Sequence, residues 1–167
     1  NLVGDIAATG LTGGTLDVTT ADNGDDNDIT VTTGELATSV TGVGADDTIT
    51  VNAAALLNDT TLTLDGDSDV VVTNLVGDIA ATGLTGGTLD VTTAENGDDN
   101  DITITTGTLA TSVTGAGTDD TITVDASALL NDTTLTLDGV SDVVVTNLVG
   151  DIAATGLTGG TLDVTTA

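Results

Sequence analysis

Four aspartates, Asp22, Asp25, Asp26 and Asp28, fall within seven positions of the stretch ADNGDDNDITVTTG at residues 21–34. The cluster returns as AENGDDNDITITTG at 94–107, with Glu95, Asp98, Asp99 and Asp101 in the corresponding places. Carboxylates and Asn amide carbonyls gathered around a turn-forming Gly24 are the ligand set of a hard divalent cation. Calcium takes roughly six to eight such oxygens at about 2.3–2.6 Å in flexible geometry. A smaller acidic turn, Asp46 and Asp47 in GADD, recurs as Asp119 and Asp120 in GTDD. These twelve residues are the candidate calcium ligands. Asp and Asn are also the ordinary residues of solvated turns, and the spacing is not that of an EF-hand loop, so both readings stand at this level.

The charge needs an answer because the chain offers none of its own. It carries 27 acids and no Lys, Arg or His, for a formal net charge of −27. Two carboxylates about 5 Å apart repel by roughly 0.8 kcal/mol in water and about four times that at an effective dielectric near 20. No salt bridge is available, and nothing attracts phosphate, so nucleic acid and anionic membranes are excluded as partners. Without His, Cys, Lys, Arg or Tyr, only Asp and Glu could do acid–base work. A carboxylate pair repeated along the chain, with no aromatic residue to form a sugar platform, reads as structural. The expectation is therefore no enzyme and no small-molecule substrate. The absence of Cys removes disulfide and thiolate chemistry, and an acidic chain free of Cys and Lys suits an extracellular or cell-surface, calcium-rich setting. The longest apolar run, AAALL at 53–57, is far too short to span a bilayer.

The dominant feature of the chain is a repeat. NLVGDIAATGLTGGTLDVTTA starts at residue 1, again at 74 and again at 147. The units are residues 1–73, 74–146 and the start of a third at 147–167, and this reads as a fragment of a longer array whose targeting signals lie elsewhere. The first two copies differ at eight positions: 22/95, 31/104, 35/108, 43/116, 45/118, 52/125, 54/127 and 67/140. Near-identical tandem copies imply a linear array in which each unit contacts its neighbours. A weaker repeat of about 32 residues shows within the period: AATGLTGG at 7, SVTGVGAD at 39 and VVTNLVGD at 71. It divides the period into two similar parts plus one additional strand and turn.

The elements are short strands. In DITVTT the apolar Ile29 and Val31 alternate with Thr30 and Thr32, and TITV and TLTL alternate likewise. Gly, Asn and Asp clusters separate them as turns. The only helix-like piece, NAAALLND at 52–59, is too short to be stable as a helix. About seven strands fit in 73 residues. Phe, Trp, Tyr and Met are absent, so the core must be narrow and regular, built of small aliphatic side chains stacking on themselves. This favours an all-β parallel β-solenoid over the alternative of tandem small β-sandwich domains. The residues per coil stay open, because the strand anchors at 16, 29, 49, 62 and 70 are unevenly spaced.

The Thr/Gly/Asp/Val composition and the DDTITV strand opening make the whole chain resemble the giant repetitive β-strand surface and matrix proteins and adhesins of bacteria. It is more distantly similar to haemolysin-type (RTX) calcium-binding repeat proteins. Against the pattern G-G-x-G-x-D-x-U-x, VGADDTITV at 43–51 places Asp47 at the Asp and Ile49 at the large aliphatic position, without the glycine pair and without a nine-residue tandem. The resemblance implies an extracellular structural protein forming a fibre, a stalk or a surface or biofilm-matrix layer, stabilised by calcium and associating with itself. An adhesin module is the alternative. The Thr pairs 30/32, 48/50 and 61/63 raise a more remote one, an ice-binding face, although Asp17, Asn52 and Asp65 interrupt the array.

Overall fold

The strands that the alternation predicts are present, and they close into a parallel β-solenoid. The computed structural model describes residues 2–22, 24, 26–95, 97 and 99–167. Among the described residues sixteen strands follow one another: β1 (Ile6–Ala7), β2 (Leu16–Thr19), β3 (Asp28–Thr32), β4 (Thr38–Gly42), β5 (Thr48–Asn52), β6 (Thr61–Gly66), β7 (Asp69–Leu75), β8 (Asp78–Leu84), β9 (Leu89–Thr93), β10 (Asp101–Thr105), β11 (Thr111–Gly115), β12 (Thr121–Asp125), β13 (Thr134–Gly139), β14 (Asp142–Leu148), β15 (Asp151–Leu157) and β16 (Leu162–Thr166). Odd-numbered strands form one eight-stranded sheet and even-numbered strands the other, with every neighbouring pair parallel through β1 to β16. No helix occurs among the described residues. The segment 53–60 is a turn that tucks in Ala53 and Leu56.

Period-2 alternation sends one side chain of each pair inward, and the inward ones stack coil upon coil. Val31, Val51, Val72, Val91, Val113 and Leu137 form one unbroken inward row of the odd sheet. Facing it across the interior, Leu62, Ile79, Ile104, Val124 and Val145 line the even sheet. The six residues Ile29, Val31, Ile49, Val51, Leu62 and Leu64 are all buried. They belong to two facing sheets and not to one column, the first four on the odd sheet and the Leu pair on the even one. Outward positions in the same strands, such as Thr30, Thr50 and Thr63, remain at least partly exposed.

The uneven anchors now have a cause. Ile29 pairs with Ile49 and Val51 with Val72, steps of 20 and 21 residues. Leu62 pairs with Ile79 after only 17 residues, and Ile79 with Ile104 after 25. The strands from β3 to β10 run only from five to seven residues, so the turns absorb most of the difference. The anchor set also skips β4, whose inward residues are Thr38, Val40 and Gly42, so a single large aliphatic marks it.

Each 73-residue copy supplies seven strands, β1–β7 and then β8–β14, an odd number shared between two sheets. One copy is therefore three and a half coils, or about 17 Å of rise at roughly 4.8 Å per coil. Identical sequence lands on opposite sheets in successive copies: Ile29 is in the odd sheet and its equivalent Ile102 in the even one. The three segments of the weaker repeat begin in β1, β4 and β7, three strands apart, with one strand left over before the period restarts.

Candidate cation-binding edge

Where the acids go follows from the path of the chain. Links from the even to the odd sheet stack on one edge of the solenoid, and links in the other sense stack on the opposite edge. In the first copy the candidate segments 20–27 and 43–47 are both even-to-odd links, so Asp22, Asp26, Asp46 and Asp47 share one edge, with Asp28 at the start of β3. In the second copy the same segments, 94–100 and 116–120, are odd-to-even links. Glu95, Asp99, Asp119 and Asp120 therefore lie on the other edge, with Asp101 opening β10. Asp25 and Asp98 lie outside the described residues. The ten described candidates are thus two groups of five, half a turn apart, and not one site.

Within each group two kinds of carboxylate are found. Asp22, Asp26, Asp28, Asp46, Glu95, Asp99, Asp101 and Asp119 are exposed, and Asp22 Oδ1 accepts the Gly24 amide at 3.0 Å. Asp47 and Asp120 differ, since each is only 2% exposed. Asp47 Oδ1 accepts the backbone N–H of Asn27 at 2.9 Å, one coil earlier, and Asp120 Oδ1 accepts that of Asn100 at 3.1 Å. Each carboxyl thereby pins the end of an acidic loop to the turn of the next coil. The other oxygen, Oδ2, is buried in both copies with no hydrogen-bond partner among the described residues. Gly44 and Gly117 make room for it, because a Cβ at either position would fall on that carboxylate. The Ser68 hydroxyl completes the node from the following coil by donating to the Gly44 carbonyl at 2.6 Å.

Other acids, not singled out by clustering, do structural work at strand starts. Asp5 accepts the Thr30 amide and Asp78 the Thr103 amide, each at 2.8 Å. Asp69 accepts both the amide and the hydroxyl of Thr88, and Asp142 does the same with Thr161. Each carboxylate takes an N–H of the paired residue in the next coil, extending the ladder by one rung. The signal was an Asp immediately before or at a strand start, but it could be read only once the register was known. The amide and hydroxyl of Thr161 hold the exposed Asp142 carboxyl below the usual carboxylate range. At Asp125 burial opposes ionisation, yet the bonds from Ser127 and the Asn147 amide outweigh it, and that carboxyl also lies low. Asn52, the equivalent residue in the first copy, uses its Oδ1 in the same way, accepting the Ala54 amide at 3.2 Å. Two of the eight differences between copies, 52/125 and 54/127, are thus neighbours in one turn.

Among the described residues no three Asp or Glu side chains converge as a ready-made metal centre, and no helix is long and apolar enough to cross a membrane. No family model matches the chain, and neither the curated proteins nor the solved structures contain a match to it.

Proposed function

We propose that the chain is a stretch of an extended structural protein of the cell exterior, a fibre, stalk or surface or matrix layer, in which repetition makes length and calcium at the acidic edges stabilises the coils. What supports the first part is the continuity of the sheets across the copy boundary. β6 pairs with β8 and β7 with β9 in the same way that strands pair within a copy, so each further copy adds core without adding a new domain interface. Native material in negative stain is expected to show rods or layers only a few nanometres thick. Isolated compact particles would overturn the reading.

The calcium part is supported by the two buried carboxylates, each with an unpartnered oxygen in a chain that has no side-chain cation. Burying an unpaired charge is costly, and a divalent ion offsets that cost. A site at a hundredfold excess of ion over Kd adds about 2.7 kcal/mol, and extracellular sites work at roughly 0.1–1 mM. Thermal unfolding in millimolar calcium is therefore expected several degrees above that in chelator. Sodium chloride of matched ionic strength should not make up the gap, and Asp26→Asn and Asp28→Asn combined with Asp99→Asn and Asp101→Asn should remove most of it. If sodium chloride and calcium prove interchangeable, the calcium assignment is wrong.

A further inference from the structure

The chain has ten asparagines, and only Asn58 and Asn131 have a Ser or Thr two residues on, in Asn58-Asp59-Thr60 and Asn131-Asp132-Thr133. They occupy the same place in successive copies, at the tips of the links from β5 to β6 and from β12 to β13. The base of each link is set in the core, through Ala53 and Leu56 in the first copy and Ala126 and Leu129 in the second. The tip is tied to the coils on either side. The Leu57 amide donates to the Glu35 carbonyl at 3.1 Å and the Asp78 amide to the Thr60 carbonyl at 2.7 Å, and Leu130 with Thr108 and Asp151 with Thr133 repeat these bonds. Between the ties the chain turns back on itself, the Thr60 amide donating to the Leu57 carbonyl at 3.1 Å and the Thr133 amide to that of Leu130 at 3.0 Å. Leu57, Asn58 and Asp59 are thereby held out in solvent, as are Leu130, Asn131 and Asp132. Leu57 is 49% exposed and Leu130 53%, so each tip also carries apolar surface that the fold leaves wet.

We propose that Asn58 and Asn131 are acceptors for N-linked sugar, one in each copy. Asn-x-Ser/Thr is the acceptor pattern of N-glycosylation, a bulky and solubilising modification of surface loops in exported proteins. The proposal rests on the reading of the chain as a protein of the cell exterior and goes beyond it. In the transfer the side-chain amide nitrogen bonds to the anomeric carbon of a sugar carried on a nucleotide diphosphate or lipid diphosphate. The bond from that carbon to the phosphate oxygen breaks, the diphosphate leaves with the electron pair, and the amide gives up one proton. The fold gives up little, because Asn131 Nδ2 donates only to the exposed neighbour Asp132, at 3.3 Å. Attached sugar covers the apolar surface of Leu57 or Leu130 next to it. Asn74 and Asn147 are exposed as well, but Val76 and Val149 stand where the pattern needs a hydroxyl. The link to β6 runs from the odd to the even sheet and the link to β13 from the even to the odd. Each edge of the solenoid thus carries the acidic loops of one copy and the sugar of the other.

The test has two arms. Peptides of native material are released with a protease that cuts beside acidic residues, since the chain has no Lys or Arg for trypsin, and are read by mass spectrometry. Sugar is expected on Asn58 and Asn131 and none on Asn74 or Asn147. In the second arm the folded full chain is incubated with UDP-glucose and a soluble N-glycosyltransferase that reads Asn-x-Ser/Thr, and its intact mass is followed. A gain of two glucose units is expected. Asn58→Gln should lower the gain to one and Asn58→Gln with Asn131→Gln to none, while Asn74→Gln with Asn147→Gln keeps both. Thr60→Ser should keep the first site and Thr60→Val lose it, with circular dichroism checking that each variant is folded. Bare Asn58 and Asn131 in native material would overturn the proposal. So would a folded chain that takes up no glucose, or takes it up only after denaturation. Neither failure touches the array reading, which the rods or layers in negative stain test separately.

Discussion

Replacing Ile49 by Asp is expected to lower the melting temperature by more than about 8 °C, while Thr50→Asp one residue away moves it by only a few degrees. Ile49 is fully buried, in register with Ile29 on one side and Val70 on the other. Losing a buried Ile side chain costs about 2–5 kcal/mol, and leaving a polar group unpaired adds roughly 1–3. No cationic side chain exists to compensate the new charge. At about 2–4 °C per kcal/mol for a chain of this size, a total near 4 kcal/mol sets the expected drop. Thr50 points outward between Thr30 and Val71, so an Asp there meets no acid directly opposite and keeps its hydration. Far-UV circular dichroism follows both, since the chain has no aromatic fluorophore. Equal tolerance of the two changes would break the inward/outward assignment on which the whole solenoid rests.

The second large effect is expected at a residue with no side chain at all. Gly66 closes β6 with φ at +104°, a backbone region that L side chains rarely enter. A Cβ there would fall on the Gly42 carbonyl oxygen of the preceding coil. That oxygen cannot simply move aside, because it accepts the Asp67 amide at 2.8 Å. Strain of about 1–3 kcal/mol and overpacking of similar size act together, so Gly66→Ala should cost about 3 kcal/mol or more, and Gly139→Ala the same in the second copy. Gly13→Ala, with no heavy atom within 4 Å of its Cβ position, should fall within about 0.5 kcal/mol of the parent. Chemical denaturation of the three variants separates these outcomes. If Gly66→Ala is as mild as Gly13→Ala, the coils are not packed as closely as described.

Much of this architecture was legible before any coordinates, because alternation of Ile, Val and Leu with Thr speaks directly to a half-buried strand, and the missing aromatics exclude a wide interior. What escaped was β4, since buried Thr38 and Gly42 look polar or turn-like in sequence though they face inward, and with it the pairing of strands. Coil length was hidden for a related reason: the turns between strands vary widely in length, so spacing along the chain does not report distance in space. The acidic clusters could be found by composition, but their arrangement could not. Only the path of the chain places Asp26 and Asp99 on opposite edges, and only the register reveals that Asp47 bonds to Asn27 or that Asp69 caps Thr88.

The seven strands of each copy make the array a parity device. Two copies restore the starting orientation, whereas one copy reverses it, so a gain or loss of a single 73-residue unit would rotate everything beyond it by half a turn while leaving every core contact in kind. A length change by one unit is therefore silent to the fold and loud to whatever the surface touches, whereas a change by two alters reach alone.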